Sequence, residues 1–169
     1  EYIGREVEIK PEIIATDSLS VVSCALTEKI DLAIIGPEAP LVAGVADALR
    51  EQGIAVFGPS KQAAMLEGSK QFAKEIMAAA DVPTGMAREC STMEQVASAI
   101  DQFGAPYVVK ADGLAAGKGV IVTSDRQAAL DHAEKFISEG VLVEEFLDGQ
   151  EVSLFFLSDG KSVMPLSPA

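Results

Sequence analysis

Two short runs without a polar residue, 32–35 (LAII) and 54–57 (IAVF), bracket a segment of helical period, and this spacing admits few folds. A strand with no polar alternation is usually buried on both faces, as in a parallel sheet covered by helices. Between the runs, Pro40 falls near a first helical turn, Leu41, Val45 and Leu49 recur one turn apart, and Gly53 marks the stop. Upstream, 11–15 (PEIIA) reads as another strand, and Asp17 as the N-cap of a helix with Leu19, Val22 and Leu26 on one face. Strand–helix–strand–helix–strand in this order predicts a parallel α/β layer with right-handed crossovers.

The pattern changes at Gly58-Pro59-Ser60. Helices follow over 60–66 and 70–80, the second with Phe72, Ile76, Ala73 and Met77 on its buried side, and Asp81-Val82-Pro83 stops it. A second α/β unit comes next: strands near 85–89, 106–111, 119–123 and 141–146, with helices over 92–103 and from Asp125 to about 138. Residues 151–157 and 161–166 flank Ser158-Asp159-Gly160 as an antiparallel hairpin. The expected divisions are 1–59 and 60–169, with a small subdomain over about 84–146.

Composition narrows the function. The 169 residues are 49% hydrophobic, enough for one core or two small ones. Net charge is −13, from 13 Lys+Arg against 26 Asp+Glu, and a nucleic-acid surface needs the opposite balance. No apolar run approaches the roughly 20 residues of a membrane helix, and residues 1–10 lack the apolar centre of a signal peptide, so a cytoplasmic protein is expected. Cys24 and Cys90 have no CxxC spacing and read as buried or half-buried thiols in a reducing compartment. His132, in a polar helical stretch, reads as a surface residue and a poor catalytic base. The start at Glu1 and the end at PLSPA (165–169) read as those of a fragment. Against so negative a field, any phosphate site has to be built locally from lysines, backbone N–H groups and a divalent cation.

Three segments offer such chemistry. In 107–122 (YVVKADGLAAGKGVIV), a strand carries Lys110, a loop carries Gly113, Gly117, Lys118 and Gly119, and a second strand follows. Glycines let a backbone approach an oxyanion closely. The segment lacks the GxxxxGK[ST] pattern, so it would cover phosphates as a hairpin flap. A plain glycine hairpin with a solvated lysine remains open. At 68–70 (GSK), Ser69 caps a helix and puts Lys70 at its positive end, a misplacement that a bound phosphate would offset and that solvent would also tolerate. In 141–151 (VLVEEFLDGQE), Glu144 and Glu145 follow an apolar strand, Phe146 and Leu147 come next, and Glu151 lies past a turn. That order suits adenine and ribose recognition, or a strand end with solvated acids.

Taken together, these segments resemble ATP-grasp ligases. GPEAPLVAGVADAL (36–49), FGPS (57–60), LEGSKQFAKEIM (66–77), VPTGMA (82–87), VVKADGLAAGKGVIV (108–122) and VEEFLDGQE (143–151) are similar to the phosphoribosylamine–glycine ligase family over roughly 30–169. The resemblance implies a Rossmann-like N-terminal layer over 1–59 and an incomplete ATP-grasp domain over 60–169. It also implies ATP with Mg2+ or Mn2+, and an enzyme that joins 5-phosphoribosylamine to glycine in purine synthesis. Lys70, Lys110 and Lys118 would act on the phosphates beneath a flap containing Gly113, Gly117 and Gly119. Glu144, Glu145, Phe146 and Leu147 would hold adenine, and Glu151 the ribose. Gly36, Pro37, Glu38, Ala39, Pro40 and Leu41, at a strand's carboxyl end, would take the sugar phosphate amine. The family's opening glycine-rich loop and its magnesium-holding acids do not occur here, so metal ligands are expected outside the chain. The chain alone is expected to bind nucleotide weakly without hydrolysing it. Another ATP-grasp carboxylate–amine ligase and a non-catalytic nucleotide-binding fragment are the alternatives.

Overall fold

A computed structural model describes residues 8–114 and 118–168. The first unit opens with α1 (Ser18–Thr27), where Asp17 accepts from the Leu19 amide. β1 (Leu32–Ile34) pairs in parallel with β2 (Ala55–Phe57), Leu32 opposite Ala55 and Ile34 opposite Phe57. The connection is two helices, α2 (Glu38–Ala43) and α3 (Val45–Glu51), where the apolar period predicts one. Gly44, at φ 95°, takes the left-handed conformation that ends α2 and starts α3.

Ala25, Val45, Leu49 and Ile54 form this unit's core, with Ala33 and Val56 packed on it from the strands. Three expectations fail here. Residues 11–15 form turns, with the Ile13 amide donating to Lys10 and the Asp17 amide to Ile14, so the segment closes on itself and is not a strand. On α1, Leu19 and Leu26 are exposed, at 82% and 51%; Val22 alone of the expected face packs on the core, with Val21 and Ala25. On β1, Leu32 and Ile34 point away from the helices, Ile34 being 72% exposed, so the sheet is covered on one face. Successive strand side chains point to opposite faces, and an apolar run does not say which face is covered.

α4 (Lys61–Gly68) starts at Ser60, whose hydroxyl accepts from the Ala63 amide. Its Ala64 packs with Leu41 and Ala46 of the first unit. α5 (Lys70–Ala79) follows directly, and none of its ten residues is buried. Ile76 is exposed, while Phe72, Ala73 and Met77 are half-buried, because α5 borders a cleft and not a core.

The second unit is a sheet in the order β3-β6-β4-β5, every pair antiparallel, built from β3 (Ala87–Cys90), β4 (Tyr107–Ala111), β5 (Val120–Thr123) and β6 (Val141–Glu144). α6 (Met93–Phe103) and α7 (Arg126–Phe136) pack on it. Thr92 and Gln95 form a capping box at α6, and Asp125 accepts from two amides at α7. Val96, Ala99 and Ile100 meet Ala129, Ala133, Val109, Val141, Val143 and Cys90 in a closed core. Arg126 bridges to Asp101 through two hydrogen bonds, 2.8 and 3.1 Å, and the guanidinium holds that carboxyl below the usual range.

Cys24 is half-buried and Cys90 buried; both are free thiols, and burial pushes the Cys90 thiol up. His132 is half-buried, not a surface residue: its ring packs 5.1 Å from that of Phe136, and its Nε2 has no partner among the described residues. The chain continues into a hairpin, β7 (Phe156–Ser158) and β8 (Val163–Pro165), with shorter arms than predicted. Asp159 closes its turn by accepting from the Lys161 and Ser162 amides at 2.9 and 2.7 Å. No helix among the described residues is long and apolar enough to cross a membrane.

Candidate functional site

The start of α5 is the first element of the site. Ser69 ends α4 and caps α5, its hydroxyl accepting from the Phe72 amide at 3.1 Å. The positive helix end then receives an anion from within the chain. The Asp112 carboxylate accepts from the Lys70 amide at 2.6 Å, the Gln71 amide at 3.3 Å and the Ser69 hydroxyl at 3.0 Å. The sequence suggests a phosphate at this helix start; the backbone groups there are taken by Asp112. The Lys70 ammonium turns back and donates to the Gly113 carbonyl at 2.9 Å. Gly113 has φ +85°, a conformation costly for any residue with a Cβ.

The second element spans neighbouring strands. β4 and β6 are adjacent, with Lys110 opposite Leu142 and Val108 opposite Glu144. Lys110 Nζ donates to Glu144 Oε2 at 2.8 Å, and Lys74 Nζ lies 3.6 Å from the same oxygen. Glu144 is 8% exposed and is the one buried charged residue among those described. A buried carboxylate is tolerable only when paired and hydrogen-bonded, which the two ammonium groups provide. Lys74 also donates to Thr84 Oγ1 at 2.9 Å and to the Gly85 carbonyl at 2.7 Å, tying α5 to the segment that leads into β3.

These side chains line a cleft of about 460 Å3, with Lys70, Lys74, Lys110 and Glu144 on its polar side and Met77, Val120 and Leu147 on its apolar side. Three ammonium groups against two carboxylates, buried Glu144 and exposed Glu67, leave the lining with a net positive charge within a chain of net charge −13. An apolar wall beside converging cations suits a ligand with a flat heterocycle and an anionic tail.

Of the residues singled out in the sequence, the cleft gathers Lys70, Lys110, Glu144 and Leu147. Lys118, Phe146 and Glu151 are exposed and lie outside its lining. Glu145 sews β6 to the residue before β3: its amide donates to the Met86 carbonyl at 3.0 Å and its carboxylate accepts from the Met86 amide at 2.9 Å. Gly119 is buried and its carbonyl accepts from the Ala111 amide at 2.7 Å. Gly117 lies outside the described residues. Gly36, Pro37, Glu38, Ala39, Pro40 and Leu41 lead from the carboxyl end of β1 into α2, with Pro40 and Leu41 buried. Gly36 and Leu41 line a separate cavity of about 870 Å3 with Gly58, Pro59 and Ser60. Among the described residues no three His, Cys, Asp or Glu side chains are grouped to hold a metal ion.

Two site residues escape a sequence reading. Lys74 has a usable signal, four residues after Lys70 on one helix face. Asp112 follows Lys110 by two, the strand spacing that keeps side chains on one face, but nothing local tells it from a solvated loop acid.

The family model described as phosphoribosylglycinamide synthetase, N domain, matches residues 3–67, and that enzyme's ATP-grasp (A) domain matches 68–169. The chain belongs to the phosphoribosylglycinamide synthetase family. A relative from Leifsonia xyli subsp. xyli, the phosphoribosylamine–glycine ligase, is 60% identical over 168 residues, covering 99% of this chain and 40% of its own. The ligase of the same name from Streptomyces coelicolor is 56% identical over 164 residues, covering 97% and 39%. The crystal structure of the Thermotoga maritima phosphoribosylamine–glycine ligase superposes with a TM-score of 0.68 at 32% identity, covering 80% of this chain and 34% of that one. The chain thus spans about 40% of the length of the curated relatives it matches. The α/β expectation holds: in this chain a parallel layer precedes an ATP-grasp domain, and most of the lysine cleft's lining lies in the span matched by the ATP-grasp model.

Proposed function

We propose that this chain is the nucleotide-binding part of an ATP-dependent ligase that joins 5-phosphoribosylamine to glycine, giving 5-phosphoribosylglycinamide, ADP and phosphate in purine synthesis. The observation that carries the reading is the convergence of Lys70, Lys74 and Lys110 on one cleft with an apolar wall. In this reading Lys70 and Lys110 hold phosphate oxygens, with Gly113, Lys118 and Gly119 beside them. Adenine lies beside Leu147 and meets the backbone of Phe146 and Leu147; Glu151 accepts from the ribose hydroxyls. Both contacts of Glu144 fall on Oε2, so Oε1 can accept from the adenine amino group. Glu145 supports this strand end through Met86. The sugar phosphate amine goes to the separate cavity at Gly36.

The reaction balances in two displacements. A glycine carboxylate oxygen attacks the γ-phosphorus, the bond to the β-phosphate oxygen breaks, and ADP leaves. The amine of 5-phosphoribosylamine then attacks the acyl carbon, phosphate departs, the amine loses a proton, and an amide remains. The protein's work is positioning and charge neutralisation, and no nucleophilic side chain is required. ATP chemistry of this kind draws on Mg2+ or Mn2+. The described residues do not fit such an ion, having no grouped set of three candidate ligands. A cytoplasmic location goes with this reading and with the free thiols of Cys24 and Cys90.

The test is ADP release by a polypeptide of the relatives' length that carries this segment. ADP should form only when glycine and 5-phosphoribosylamine are both present. Release that depends on a different carboxylate, or that ignores 5-phosphoribosylamine, would assign the cleft to another ATP-grasp ligase.

A further inference from the structure

Asp112 has no part in the roles assigned above, yet it is the most connected acid at the cleft. Its carboxylate accepts from the Lys70 and Gln71 amides, 42 and 41 residues away in sequence, and from Ser69 Oγ. The next residue, Gly113, accepts from the Lys70 ammonium at 2.9 Å. Lys70 is therefore gripped at its backbone and at its side-chain tip by two consecutive residues. On the other side, the Asp112 amide donates to the Gly140 carbonyl at 3.0 Å, one residue before β6, which ends in Glu144.

A carboxylate at a helix start is a good N-cap, worth a modest gain in stability. That role alone does not account for the arrangement, because Ser69 already caps α5 through the Phe72 amide. What Asp112 adds is a fixed link between α5 and the end of β4. Lys110 lies two residues before Asp112 on that strand, so the link sets where the Lys70 ammonium stands relative to the Lys110 ammonium.

We propose that Asp112 is a positioning residue: by anchoring the end of β4 to the start of α5, it holds Lys70 and Lys110 at the separation that a di- or triphosphate chain requires. The proposal rests on the nucleotide reading of the cleft. It makes the phosphate subsite depend on Asp112 and leaves the adenosine subsite, at Leu147 and Glu144, independent of it.

The experiment titrates ADP and adenosine separately into a polypeptide of the relatives' length that carries this segment and into its variants, with thermal unfolding followed in parallel. Asp112→Ala is expected to lose about tenfold in ADP affinity, the scale of a lost charge-assisted contact, with adenosine affinity unchanged. Asp112→Asn, which keeps a side-chain oxygen to accept from the Lys70 amide, should recover most of the loss. Asp112→Glu lengthens the link by one methylene and should show the selective ADP loss even if the alanine variant does not fold. Unchanged ADP affinity in Asp112→Ala or Asp112→Glu overturns the proposal. So does a parallel loss of ADP and adenosine affinity that tracks the melting temperature, because Asp112 is then only a cap. If the parent polypeptide of the relatives' length binds neither ligand, the nucleotide reading fails first and this proposal falls with it.

Discussion

Replacing Lys110 with alanine is expected to weaken ATP binding by roughly 1.5–3 kcal/mol, the range for one charge-assisted contact. The same substitution acts on the fold. Lys110 is the nearer of the two cations on Glu144, at 2.8 Å against 3.6 Å for Lys74. Removing it leaves a carboxylate of 8% exposure with a single, more distant partner, at a cost of about 1–3 kcal/mol. The two effects separate in the double variant Lys110→Ala/Glu144→Gln. Neutralising Glu144 removes the stranded charge, so stability should recover while ATP affinity stays low. Calorimetric titration of ATP and thermal unfolding of parent, single and double variants read both. Equal ATP affinities of parent and Lys110→Ala would end the phosphate role of this lysine.

Ile100→Ala is expected to cost about 2–5 kcal/mol, the largest loss from any single change considered for this chain. Ile100 is 0% exposed on α6 and packs in the core that includes Val109 of β4 and Val141 and Val143 of β6. Those strands carry Lys110 and Glu144, so a core that loosens here also loosens the lysine–carboxylate pair. The cost is a large share of a typical domain's 5–15 kcal/mol. Leu19→Ala is the control. Leu19 is equally apolar and lies on the α1 face that the sequence reads as buried, yet it is 82% exposed. Its loss should stay within about 0.5 kcal/mol. Urea unfolding of both variants checks the pair, and similar losses at both positions would contradict the packing.

Leu19 also marks where sequence reasoning stops. Local devices were legible: Asp17, Ser69 and Asp125 cap helices as their side chains and positions dictate. The strands around the KADG segment were also legible, from β-rich runs punctuated by glycine. Which face each element covers was not, because an apolar period states that a face exists and not that a partner meets it. Leu32 and Ile34 show the same limit on β1. Gly44 reads as part of one helix because a single glycine within an apolar period is common, and its left-handed φ has no signature beyond residue type.

At the cleft, Lys70, Lys110 and Glu144 stood out by motif and resemblance, and the structure brings all three together. Their contacts were not legible. Lys110 meets Glu144 across 34 residues, and Lys70 meets Asp112 across 42. The first depends on the antiparallel order β3-β6-β4-β5 and the second on α5 meeting the end of β4, and no local period encodes either. Lys74 carries a signal in its place four residues after Lys70, but a lysine in a mixed helix equally resembles ordinary solvated surface.

The most direct measurement is a crystal structure of a polypeptide of the relatives' length that carries this segment, with a non-hydrolysable ATP analogue. The phosphate oxygens are expected within hydrogen-bond reach, about 2.7–3.2 Å, of Lys70 Nζ and Lys110 Nζ. The base should lie beside Leu147 and the ribose toward Glu151. A nucleotide bound instead in the cavity at Gly36, or an empty lysine cleft at saturating analogue, would contradict the assignment of this cleft to ATP.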